Sequence, residues 1–219
     1  MTVSSLNWPG RIGFALIVAL ALPVAVVSLR YLMPVPPGAP PDVLANRFAD
    51  PFLMLHAGFG ALALALGPLQ FLPRLRRQFT QVHRTVGVVY VIACLAGGVA
   101  GLALALGTTA GPVATAGFGL LALAWLYTTS RGLIAALKAR FPEHRRWMIR
   151  SFALTLAAVT LRLQLPMGGM FGVDFPTAYV IISFACWVPN LLAAEAWIAL
   201  TTVRLRASRV PAASEHSPG

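Results

Sequence analysis

Charge is scarce in this chain: only 11% of residues are charged, and Asp and Glu together number six in 219. A soluble domain carries about a quarter charged residues, so a water-surrounded globule is excluded. The shortage of acids leaves 17 Lys and Arg in surplus and a formal net charge of +11. The basic residues stand in short segments between apolar runs of about 20 residues, the length that crosses a bilayer core, which argues against nucleic acid as a partner. Cysteine is nearly absent too. Cys94 and Cys186 both lie inside apolar runs without metal-ligand spacing, so neither a disulfide framework nor a zinc site is indicated. There is no internal repeat, phosphate-binding glycine loop, HExxH or nucleophile elbow. No enzyme class follows from these residues.

What remains is apolar. Hydrophobic residues make up 58% of the chain, and the mean hydropathy is +0.77. The lipid bilayer is therefore the first partner, and the pattern predicts an all-α, polytopic membrane helix bundle with six transmembrane helices. The expected spans are Ile12–Leu32, Phe52–Leu72, Thr85–Leu106, Val113–Ser130, Met148–Leu165 and Ala178–Val203. Ala19-Leu20-Ala21 imitates a signal-cleavage site, but apolar sequence continues to about Ser28, so the first helix is read as retained. Residues 1–204 form the expected transmembrane domain, and 205–219 an expected disordered cytoplasmic tail that contains His216.

Basic residues are distributed unevenly about these spans. Arg11, the group from Arg74 to Arg84, the group from Arg131 to Arg150, and Arg204 to Arg209 fall on one side; Arg30, Arg47 and Arg162 do not. Such a bias predicts that both termini lie on the cytoplasmic side of the membrane. Prolines mark helix starts at Pro51, Pro112, Pro142 and Pro176, with Asp50 read as a cap. The segment 33–51 is too proline-rich at its start to be helical and is expected to run extended over the outer surface before a short interfacial helix. Pro189-Asn190 predicts a break in helix six, because proline frees the carbonyl four residues back and Asn190 can satisfy local backbone.

The few polar groups select candidate sites, since titratable groups facing lipid are costly and turn toward a bundle interior. His144, Ser151, Thr155 and Arg162 share one face, and the eighteen residues from His144 to Arg162 span about 27 Å of helix. His56, Gly60, Ala63, Gly67 and Gln70 form a second stripe, and His83, Gly87, Tyr90, Cys94 and Gly101 a third. Gly97 and Gly101 have the spacing of close helix packing. Antiparallel helices sort the groups by depth. His83, Arg84, His144, Arg145 and Arg150 collect near the cytoplasmic face, with Gln70, Tyr90 and Glu195 as relay candidates; His56, Arg162 and Gln164 form an outer polar site.

The segments LHAGFGALALALGPLQF (Leu55–Phe71), VHRTVGVVYV (Val82–Val91) and EHRRWMIRSFALTLAAVTLRL (Glu143–Leu163) resemble the bacterial membrane proteins grouped as domain of unknown function 2306, over about Phe52 to Leu165. That resemblance implies a multi-pass membrane protein and carries no activity. The residues themselves suggest a b-type haem held by His83 and His144 from different helices, with Gly87 leaving room for the macrocycle and Arg84, Arg145 and Arg150 pairing its propionates. The pattern is also similar to cytochrome b561-type six-helix electron carriers. Helix four, however, offers Trp125, Tyr127 and Thr128 but no histidine, so His56 lacks the partner a second haem would need. The expected function is haem-based electron transfer, with a quinone or a redox protein as further partner. The alternatives are a proton-coupled small-molecule transporter using His56, Arg162 and Glu195, and an accessory subunit docking other membrane subunits.

Overall fold

The computed structural model describes residues 8–207. Within them the chain is helical throughout, without strands: α1 (Trp8–Ser28), α2 (Pro41–Leu44), α3 (Ala49–Leu66), α4 (Pro73–Gln78), α5 (Thr80–Gly107), α6 (Pro112–Leu137), α7 (Phe141–Thr155), α8 (Ala157–Met170), α9 (Phe175–Ala185) and α10 (Val188–Ala207). Six helical stretches among these are long and apolar enough to cross a membrane: Ile12–Leu32, Ala49–Phe71, Thr80–Gly107, Pro112–Leu137, Phe141–Met170 and Phe175–Val203. These are the six expected spans, several of them longer at one end. The fifth and sixth are each built of two helices, α7–α8 and α9–α10. From residue 208 onward the expected tail, with His216, lies outside the described residues.

Burial is inverted relative to a water-soluble bundle. Most fully buried side chains are small or hydroxylated, including Ala63, Ala93, Cys94, Thr129, Ser151 and Ser183, with Leu64 an exception, whereas Val26, Leu106, Leu192 and Val203 are exposed. Lipid solvates large aliphatic side chains as well as protein does, so helices associate through small residues that allow close backbone approach and through interhelical hydrogen bonds. Thus α5 packs against α3 and α6, α6 against α7 and α9, and α1 against α3. At Gly97, a Cβ would stand 3.3 Å from Phe59 and 3.4 Å from Trp125.

Tyr90 holds the centre of the core. Its hydroxyl lies 3.1 Å from both Ser151 Oγ and Thr155 Oγ1; Trp125 Nε1 donates to Thr155 Oγ1 at 3.0 Å, and Thr129 and Ser151 share a 2.7 Å hydrogen bond. Every hydroxyl in this cluster has a partner, as a low-dielectric interior demands. The polar stripe of α7 and the Tyr90 stripe of α5 therefore meet face to face between α5, α6 and α7.

Pro112, Pro142 and Pro176 stand in the first turns of α6, α7 and α9. Asp174 caps α9, its carboxylate accepting from the Thr177 backbone N–H at 3.0 Å, and that hydrogen bond holds its carboxyl below the usual carboxylate range. Asp50 stands where a cap is expected. Its backbone is extended (φ −98°, ψ 127°), and regular helix in α3 continues from Pro51. The 33–51 segment contains the short helix α2 and is pinned to the end of α5: Asn46 Nδ2 donates to Leu104 O at 2.8 Å, and the Arg47 N–H to Gly107 O at 2.9 Å. Gly107 is required there, because a Cβ would run into Asn46 and Phe48.

Helix six breaks where expected, between α9 and α10, just before Pro189. Proline removes the donor for Ala185 O, and Gln164 Nε2 on α8 supplies one at 3.1 Å. Asn190 Nδ2 satisfies Cys186 O at 3.1 Å and also lies 2.9 Å from Thr160 Oγ1. The broken span is thus stitched to the fifth by side-chain amides.

Candidate functional site

Successive spans are antiparallel, so the candidate residues collect at two ends of the bundle. At the end that lacks the arginine groups, a cavity of about 250 Å³ opens between α1, α3, α5, α6, α8 and α9; His56, Arg162, Arg30, Tyr31, Tyr179 and Trp125 are among its lining. His56 and Arg162, selected from the sequence as an outer polar site, share this cavity and lie within electrostatic reach of each other.

Helix α5 fixes the His56 ring. His56 Nδ1 is 2.9 Å from Gly97 O, and a carbonyl oxygen only accepts, so Nδ1 carries the hydrogen. A neutral His56 then keeps Nε2 as an acceptor. Gly101 makes the approach possible: a Cβ there would stand 2.8 Å from Nδ1 and 3.0 Å from Cε1. Arg162 is anchored by one guanidinium nitrogen, Nη1 donating to Ala158 O at 3.0 Å. Gln164, the third residue of the expected outer site, is used by the helix break instead, and its Oε1 is buried without a partner.

Arg30, Tyr31 and Tyr179 also line this cavity and were not singled out as site residues from the sequence. Arg30 and Tyr31 come from the end of the first span, where the Arg30 guanidinium carbon lies 5.0 Å from the Tyr31 ring centre. Tyr179 belongs to α9 and stacks on Phe175 with ring centres 5.2 Å apart. A usable signal existed, since Arg30 is one of three basic residues outside the dominant side and tyrosines favour membrane interfaces.

The opposite end gathers Gln70, His83, Arg84, His144 and Arg145. His83 is within electrostatic reach of His144, Arg76 and Arg84. His144 Nδ1 lies 2.8 Å from Gly132 O, which assigns the hydrogen to Nδ1 and leaves Nε2 free. The space beside Gly87, expected to receive a macrocycle, is taken by the Gln70 amide, whose Oε1 lies 3.2 Å from where a Gly87 Cβ would stand. Two imidazoles suit a haem iron as a donor set, but a haem seated against Gly87 requires Gln70 to move. Arg150, expected to pair with a propionate, is committed elsewhere. Its Nη2 donates to Glu195 Oε2 at 2.8 Å, its Nε to Oε1, and Trp147 covers its face with the ring centre 4.6 Å away. Glu195 is thereby an ion-pair partner rather than an isolated acid. Tyr90, the remaining relay candidate, belongs to the hydroxyl cluster of the core. Among the described residues, no cluster of three or more His, Cys, Asp or Glu side chains is placed to hold a metal ion, and Cys94 and Cys186 are buried and free.

Six apolar spans around a hydroxylated core, with cationic groups lining a cavity at one end, define a polytopic integral membrane protein. The chain belongs to the family described as Predicted membrane protein (DUF2306), which matches residues 53–198. The match continues into helix six, beyond the segments that carry the resemblance in sequence. No curated protein and no solved structure matches, and the expected resemblance to cytochrome b561-type carriers is not shown.

Proposed function

We propose that this membrane protein binds a small amphipathic molecule with an acidic head group in the cavity at its arginine-poor end. The observation that carries the reading is Arg162. An arginine inside a membrane span is costly unless it faces protein or a polar cavity, and this one lines a cavity together with His56 and Arg30. Two arginines against one carboxylate, Asp42, leave the lining with surplus positive charge. Leu53, Leu64, Leu161 and Trp125 supply apolar walls. A carboxylate or phosphate pairs with Arg162, while His56 Nε2 accepts a hydrogen from a hydroxyl or from the protonated acid of the same ligand. On the sidedness expected from the basic residues, this site opens toward the outer surface of the membrane.

Trp125 provides the readout. Titration of the nanodisc-reconstituted protein with dodecyl phosphate should change tryptophan emission with saturation. Arg162→Gln should weaken the half-saturation point about 10- to 100-fold, the value of one charge-assisted hydrogen bond. An unchanged titration in that variant would contradict the reading.

A bis-imidazole haem between His83 and His144 is the second reading, favoured by the free Nε2 that the Gly132 hydrogen bond leaves on His144. Bound haem would supply one-electron chemistry, and Arg84 and Arg145 are the cations at hand for its propionates. The reduced-minus-oxidised absorption spectrum of protein from haem-replete cells tests it: sharp low-spin bands lost in His83→Ala and His144→Ala support it, and a colourless wild type removes it.

A further inference from the structure

Two polar atoms at the arginine-rich end are buried without a hydrogen-bond partner: Gln70 Nε2 and His83 Nδ1. They come from different elements, Gln70 from the 3-10 turn Pro68–Phe71 that follows α3, and His83 from the first turn of α5. Gly87 admits the Gln70 side chain, whose Oε1 would be 3.2 Å from a Cβ at that position, and the unsatisfied group is the donating NH2. Buried donors without acceptors are rare and costly, and an ion or ligand is a usual reason for one.

The charges around these atoms have one sign. Arg76 and Arg84 lie within electrostatic reach of His83, and Arg76 within reach of Arg145. Among the described residues, the acids at this end are engaged with other arginines: Glu143 pairs with Arg131 and Arg140, and Glu195 with Arg150. A buried NH2 and an unpartnered imidazole nitrogen beside Arg76 and Arg84 suit a ligand made of acceptors that carries negative charge.

We propose that Gln70 and His83, with Arg76 and Arg84, form a binding site for a phosphate group at the arginine-rich end of the bundle. The amide NH2 and the imidazole N–H each donate to a phosphate oxygen, and the arginines neutralise its charge. This occupant leaves Gln70 against Gly87, whereas a haem displaces it. A phospholipid head group and a soluble phosphate offer the same chemistry, and the test separates them.

The thermal midpoint of the delipidated full chain in a maltoside detergent is followed by tryptophan fluorescence during titration with inorganic phosphate or with short-chain phosphatidylglycerol. The matching diacylglycerol, which lacks the phosphate, is the control. A saturable rise with phosphatidylglycerol alone assigns a lipid head group, and a saturable rise with inorganic phosphate a soluble ligand; the diacylglycerol leaves the midpoint unmoved. Gln70→Leu and His83→Leu should each weaken half-saturation about tenfold or more, and Arg74→Gln, whose side chain is exposed and bonded to Gln78, should titrate as wild type. Where Gln70→Leu fails to fold, Gln70→Glu keeps the size and replaces the donor by a repelling carboxylate, with the same loss expected. The proposal is overturned if neither phosphate probe moves the wild-type midpoint, or if the Gln70 and His83 variants titrate as wild type.

Discussion

Replacing Gly101 with alanine adds a single methyl group at the point where α5 meets the His56 imidazole. The new carbon would stand 2.8 Å from Nδ1 and 3.0 Å from Cε1, inside van der Waals contact, so the ring must swing off Gly97 O. The lost hydrogen bond is worth about 0.5–1.5 kcal/mol, and overpacking of a tight contact adds about 1–3 kcal/mol. Against these, alanine in a helix gains about 0.5–1 kcal/mol over glycine. The balance is a loss of about 0.5–4 kcal/mol, together with a displaced His56 in the cavity. Gly119→Ala is the matched control, since nothing lies within 4 Å of the added carbon in that helix, and it should stabilise by about 0.5–1 kcal/mol. Equilibrium unfolding in mixed micelles, read by tryptophan fluorescence, compares the two. Equal effects of the same sign would refute the close packing of His56 on α5.

Gln164→Leu leaves Ala185 O without a donor and should destabilise by about 1–3 kcal/mol. In a Pro189→Ala background, where a backbone N–H is available to that carbonyl, the same change should cost measurably less by the same unfolding assay. Tyr90→Phe removes a hydroxyl that bridges two others, yet Ser151 keeps Thr129 and Thr155 keeps Trp125, so a modest loss of about 0.6–1.7 kcal/mol is expected; a neutral result would show that the hydroxyl cluster closes without it. The Asp174 carboxyl is held below its usual range by the cap on α9, so its contribution is complete above the unfolded-state value and disappears as pH falls through the folded-state value. Stability measured from pH 8 to 3 should therefore show an Asp174-dependent decline only in acid, absent from Asp174→Ala.

The six spans were legible because bilayer thickness imposes a length on each apolar run, and the proline starts and the Pro189 break follow from backbone chemistry alone. The polar stripes were legible as facing inward, because lipid offers no partner for Ser151, Thr155 or Tyr90. Which stripe meets which was not. A helix that is apolar almost all round gives little sign of its neighbours, so neither the pairing of Arg150 with Glu195 across 45 positions nor the arrival of Arg30 and Tyr31 beside Arg162 could be read from spacing. Gln164 and Gly87 show the same limit at atomic scale. Their positions were singled out, but a proline on another helix recruits the first, and the second makes room for a glutamine rather than for open space.

The central claim is that the cavity around Arg162 holds an acidic amphiphile, and mass spectrometry of organic extracts from purified protein tests it most directly. Wild type and Arg162→Gln would be prepared in the same detergent and their extracts normalised to protein. The account predicts a carboxylic or phosphoric amphiphile near one per chain in wild type, reduced about tenfold or more in the variant. Equal amounts in both preparations, or a neutral quinone retained equally by both, would contradict it.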